Sequence, residues 1–139
     1  MDVEILIVGR DDAALLGDCD PDVFDREIDP KRLTAYLADP GHRMVIARAG
    51  GKVIAQARGV IHHQPDETPH LYLDNLGVAE DWRRQGIAGR LLGALEAWGR
   101  ELGCAEAWVL TEPDNAPARA LYATRGGRHE VTAYYTYDL

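Results

Sequence analysis

Residues 82–99 read "WRRQGIAGRLLGALEAWG": two adjacent arginines, a glycine-bearing turn, then an apolar run. Ile87, Leu91, Leu95, Trp98 and Leu102 follow at spacings of four, four, three and four, one face of a helix. Gly103 is placed to end it. A helix N-terminus presents unpaired N–H groups and a partial positive charge. Arg83 and Arg84 add cationic charge there, and Gly86 lets backbone approach an anion closely. In a chain with a formal net charge of −8, cations gathered at this point mark a site for phosphate.

Outward from this helix the pattern alternates. "VEILIV" (3–8) predicts a first strand, and "DDAALLGDC" (11–19) predicts a helix. "DPKRLTAYLAD" (29–39) predicts a second helix, with Asp29 as its cap, Pro30 in its first turn and Pro40-Gly41 as its stop. "RMVIARAGGKVIAQARGVI" (43–61) gives two β-rich runs around Gly50-Gly51, a hairpin signal. A polar loop (63–70) leads to the strand "LYLDNLGV" (71–78). Beyond the opening helix, "AEAWVL" (105–110) predicts a strand and "APARALYATRGG" (116–127) a short helix with a glycine stop. "HEVTAYYTYDL" (129–139) predicts a closing strand or hairpin. This order predicts one α/β domain over residues 1–139, its sheet mixed but mostly antiparallel and flanked by helices.

The 139 residues suffice for a substantial core. No apolar run approaches the roughly 20 residues of a membrane span, and the acidic N-terminus lacks signal-peptide character, so a cytoplasmic protein is expected. Acidity speaks against nucleic acid as a partner and is compatible with a cationic substrate. Cys19 and Cys104 are expected as reduced thiols. His62 and His63 lack companion ligands and no CxxC or HExxH spacing occurs, so no metal is expected.

Neither GxxxxGK[ST] nor GxGxxG after the first strand fits the glycine turn. "LGVAEDWRRQGIAGRLL" instead resembles the signature of the GNAT acyltransferase superfamily, in which R/Q-x-x-G-x-G/A opens a helix. "TEPDNAPARALYATRGG" resembles that superfamily's second pattern through Asn115, Ala118, Leu121, Tyr122 and Gly126. The resemblance implies a GNAT fold with splayed fourth and fifth strands and acetyl-CoA as co-substrate. Its pyrophosphate would rest on the turn Arg83, Arg84, Gln85, Gly86, Ile87, Ala88 and Gly89, and its pantetheine arm would pair with backbone of Leu76, Gly77 and Val78. Asn115 and Ala118 would complete the cofactor side.

Acetyl transfer to an amine needs a base, because an alkyl amine of pKa near 10.4 is only on the order of one part in 10³ neutral at pH 7. The departing thiolate benefits from a proton, and the resemblance assigns that donor to Tyr122. His70, Tyr72 and Asp74 share one face of their strand. A bulge near Asn75, implied by the resemblance, would turn Asp74 into the site as the base. A charge at the strand's end, His70 or a water chain are the other readings. The tail "ALYATRGGRHEVTAYYTYDL" is similar to that of GNAT-type aminoglycoside 3-N-acetyltransferases, although Asn75 stands where that group has Asp. The acceptor this implies is a small cationic amine, with His70, Tyr72, Asp74, Glu112, Glu130 and Asp138 as its contacts. Polyamine, peptide or protein amines and a non-catalytic acyl-CoA-binding module are the alternatives, and a homodimer is compatible with all of them.

Overall fold

The computed structural model describes residues 2–139. Its strands are β1 (Val3–Val8), β2 (His42–Ala49), β3 (Lys52–His62), β4 (His70–Val78) and β5 (Glu106–Trp108). Its helices are α1 (Pro30–Ala38), α2 (Ile87–Glu101) and α3 (Ala116–Thr124). The five strands form one sheet in sequence order. β1 to β4 pair antiparallel, and β4 pairs with β5 in parallel. The expected α/β architecture is present.

Local signals explain most element ends. The Asp29 carboxylate accepts from Lys31 N at 3.1 Å and Pro30 occupies the first turn of α1. Gly50-Gly51 joins β2 to β3. Gly103 N donates to Arg100 O and Cys104 N to Gly99 O, the paired bonds that close a helix at a glycine.

The central strands are apolar on both faces because both are covered. Val45, Ile46, Ala47, Val53, Ala55 and Ala57 are buried, as are Ile87, Leu91, Leu92, Leu95 and Trp98 of α2. Burial of each large side chain is worth about 1.5–3 kcal/mol. A Leu95→Ala cavity would therefore cost about 2–5 kcal/mol.

Four expectations need correction. Leu102, expected on the buried face of α2, caps the helix and is 45% exposed, while Leu92 joins the core instead. The helix expected over 11–19 shrinks to a 3-10 turn at Ala13–Leu16. There the Asp12 carboxylate accepts from Gly9 N, and Asp18 and Asp20 bond Val53 of β3, leaving too little chain to nucleate a helix. β5 spans only Glu106–Trp108 because β4 partners it only from His70 to Tyr72. The closing strand is absent: residues 128–139 form no ladder, since strand propensity without a paired edge does not make a strand.

Candidate active site

β4 changes partners along its length. His70, Leu71 and Tyr72 pair with Glu106, Ala107 and Trp108, and the parallel ladder ends there. On its other side β4 stays bonded to β3 as far as Val78, opposite Ala55. From Leu73 onward β4 therefore turns one backbone edge into an opening, which is the expected splay of the fourth and fifth strands.

A cleft of about 220 Å³ lies in that opening. Leu73, Asp74, Asn75 and Leu76 of β4 line it, with Leu92 of α2, Val109, Leu110 and Thr111 after β5, and Asn115, Ala118 and Tyr122 of α3. Asp74 reaches it through a bulge. Arg58 is opposite Asn75 and Gly59 opposite Leu73, leaving Asp74 as the extra residue. The Asn75 carboxamide is occupied elsewhere: its Oδ1 accepts from Gln56 Nε2 at 2.6 Å, and that same Nε2 donates to Val23 O. Gly77 is required by this packing, because a Cβ there would come within 2.2 Å of Val23 O.

Tyr122 is held from both ends of α3. Asn115 caps the helix, its Oδ1 accepting from Ala118 N at 3.2 Å. Past the last turn, Gly126 N donates to Ala123 O and Gly127 N to Tyr122 O. Arg125 reaches across to α2, pairing with Glu96 and donating to Gly89 O. Burial pushes the Tyr122 phenol above its ordinary pKa near 10, so it is an O–H donor at neutral pH.

Between the end of β4 and the start of α2 lies the arginine turn. Arg84, at φ 62°, is the only non-glycine with positive φ among the described residues. Gly86 follows at φ 77° with open space where a Cβ would be, so glycine is needed there for its backbone conformation. Gly86 caps α2 and supplies no side-chain acceptor, which leaves the first N–H groups of the helix, at Ile87, Ala88 and Gly89, free to meet an anion. Arg83 Nε donates to Val78 O at 3.1 Å and Gln85 Nε2 to Asp81 O, so both side chains also brace the turn.

The other sequence candidates are dispersed. His70 lies at the start of β4, 3.1 Å from Glu67 and 4.0 Å from Glu106, outside the cleft lining. Tyr72 stacks on Trp108, ring centroids 4.2 Å apart. Glu112 is exposed between β5 and α3, and Glu130 and Asp138 are exposed on the tail. Sequence reasoning missed Gln56, Arg58, Tyr36 and Arg125. A signal for the first two was available, since they are polar residues at alternate positions in an otherwise apolar strand. Among the described residues no group of three or more His, Cys, Asp or Glu is placed to hold a metal ion.

Five strands splayed at a bulged β4, with an uncapped helix N-terminus at one end of the opening, define an α/β domain of the acyltransferase type. Residues 13–126 match the acetyltransferase (GNAT) family, and the chain belongs to it. An aminoglycoside N(6′)-acetyltransferase type 1 of Salmonella typhimurium is 31% identical over 85 residues, 58% of this chain and 59% of that protein. The one of Serratia marcescens is 30% identical over 95 residues, 65% of each chain. The matched stretch thus spans less than two thirds of either relative.

Among solved structures, an aminoglycoside acetyltransferase from an uncultured soil metagenomic sample, in complex with trehalose, superposes with a TM-score of 0.84. It is 21% identical, over 99% of this chain and 96% of the other. An aminoglycoside N-acetyltransferase AAC(6′)-Iy in complex with CoA superposes at 0.81, with 22% identity and the same coverages. These likenesses establish the GNAT fold. The 3-N resemblance does not hold, because the relatives are named for the 6′ position. Most of the tail that carried it, residues 128–139, is unpaired and lies beyond the family match and outside the cleft.

Proposed function

We propose that this chain transfers the acetyl group of acetyl-CoA to an amine of a small cationic acceptor, an aminoglycoside acetylated at its 6′ amine. One observation carries the reading: Asp74 and Tyr122, a carboxylate and a protonated phenol, line a single cleft where β4 parts from β5. The open edge of Leu76, Gly77 and Val78 suits an extended amide-bearing arm. The turn from Arg83 to Gly89 suits a pyrophosphate, and Asn115 and Ala118 line the same opening.

In this scheme Asp74 takes a proton from the acceptor ammonium, freeing the nitrogen lone pair. That nitrogen forms the new N–C bond at the thioester carbonyl as the C–S bond breaks, and Tyr122 gives its proton to the leaving sulfur. The second proton that the acylated nitrogen sheds restores the Tyr122 phenol, and Asp74 returns its own to solvent. The acceptor class is supported by the names of the relatives and by the acidic chain. We further propose a homodimer, since Val131, Tyr134, Tyr135, Tyr137 and Leu139 of the tail are all exposed.

The test is thiol release from acetyl-CoA with kanamycin, neamine and spermidine, the product located by NMR. Acetylation at the 6′ amine is expected. Release with none of the three sinks the reading, and a product acetylated only at another amine removes the 6′ assignment.

A further inference from the structure

Gln56 is the only polar side chain fully buried in the core among the described residues, between Ala55 and Ala57 of β3. Its own amide does not explain its place there, because Oε1 is buried with no hydrogen-bond partner among those residues. Nε2 bonds outward instead, to Val23 O at 3.2 Å and to Asn75 Oδ1 at 2.6 Å. The Val23 carbonyl can only accept, which fixes the nitrogen on that side of the amide. Gln56 pairs across the ladder with Gly77, so Asn75 is its diagonal neighbour.

Asn75 is the residue that sets the bulge. Gly59 pairs with Leu73, Arg58 with Asn75 and Ala57 with Leu76, which leaves Asp74 as the extra, exposed residue. A shift confined to this point would pair Arg58 with Asp74 and make Asn75 the extra residue, with Leu73 and Leu76 still in place. Opposite charges directly across a ladder attract, and Arg58 Nε is buried without a partner among the described residues. That register would turn the Asp74 carboxylate to Arg58 and out of the cleft. It would also carry Asn75 away from Gln56 and leave a donor unpaired in the core, which costs more than a partly exposed ion pair returns.

We propose that Gln56 is a positioning residue for acetyl transfer: by holding Asn75 opposite Arg58 it keeps the β4 bulge at Asp74, and so keeps that carboxylate in the cleft. This rests on the acetyltransferase reading above, in which Asp74 is the base.

The experiment uses Gln56→Met, which keeps the length of the side chain and removes both bonds. With neamine, kcat/KM at about pH 6 should fall about tenfold, the loss if about nine in ten molecules take the other register. It should recover by about pH 9, where more of the amine is neutral and needs no base. The KM for acetyl-CoA should hold, because Leu76, Gly77 and Val78 keep their partners in both registers. In an Arg58→Met background nothing draws Asp74 across, and Gln56→Met should lower kcat/KM by less than about twofold. Cross-strand NOEs from Arg58 should pass from Asn75 in wild type to Asp74 in Gln56→Met. Asn75→Ala cuts the same bond from a half-buried position and should give the same pH profile and NOEs, so it carries the test if Gln56→Met does not fold. A loss equal at both pH values, an equal loss with and without Arg58, or NOEs that still join Arg58 to position 75 overturns the proposal. Wild type that releases no thiol with any of the three acceptors named above removes the acetyltransferase reading. The catalytic role of Gln56 falls with it, while the NOEs still decide its hold on the register.

Discussion

Asp74 enters the cleft because β4 holds one residue more than β3 can pair. Tyr122 enters it because a capped helix delivers it there. Their proposed roles separate by pH. Tyr122→Phe keeps the ring and loses the proton, so kcat should fall by about 10² to 10⁴ while acetyl-CoA affinity holds. Asp74→Asn should be most impaired at low pH and partly recover as pH rises, because a neutral amine no longer needs the base; a loss that is flat with pH would remove Asp74 from that role. Tyr36 gives a stability prediction. Its folded pKa of about 12 exceeds the ordinary value near 10, so the folded state holds the proton more tightly. That contribution is complete below about pH 10 and is lost as pH climbs through about 12. Denaturant titrations across this window should show Tyr36→Phe losing less stability than wild type. At this scale the sequence displayed Tyr122 and the glycine turn through local spacing, and Asp74 only through the resemblance. Tyr36 and Arg58 were hidden because their burial comes from how α1 and β3 pack in the fold, which no local spacing records.

Helix boundaries were legible for the same physical reason: Asp29, Asn115, Gly103 and Gly126 act within a turn or two of themselves. The splay was not readable from residues alone, because it depends on where the β4–β5 ladder stops. Two element-scale predictions follow from the contacts. Gly86→Ala meets no neighbour within 4 Å, so its cost is conformational, about 1–2 kcal/mol for an L residue in left-handed backbone. Acetyl-CoA affinity, measured by calorimetry, should drop further than this stability loss accounts for, since the altered turn also misaims the first N–H groups of α2. Unaltered affinity would make the turn purely structural. Arg125 joins the end of α3 to the start of α2 through Gly89 O and Glu96. The partners are about a third exposed, so Arg125→Ala should cost no more than about 1 kcal/mol in a melt. If the bridge positions Tyr122, kcat should nevertheless fall several-fold, and Arg125→Lys should restore only part of it because an ammonium cannot fork to both acceptors.

At the scale of the whole molecule, the α/β class followed from the alternation of patterns, while the last expected strand failed for want of a partner. The tail has the composition of a strand in Val131, Thr132, Tyr134, Tyr135 and Tyr137, yet runs unpaired and exposed. β5, three residues long, is an edge of the sheet, with its parallel partner β4 on one side only. An open edge and a strand-forming segment with five exposed large apolar side chains are complementary, and two copies related by a twofold axis can satisfy both at once. Light scattering on the full chain should therefore give twice the 15.3 kDa chain mass. A chain ending at Gly127 should run as a monomer. It should keep its thermal response to acetyl-CoA, because the cleft lining and the arginine turn all precede residue 127. A shortened chain that still dimerises would move the interface elsewhere. One that loses acetyl-CoA binding would place the tail in the cofactor site, contrary to the cleft lining described above.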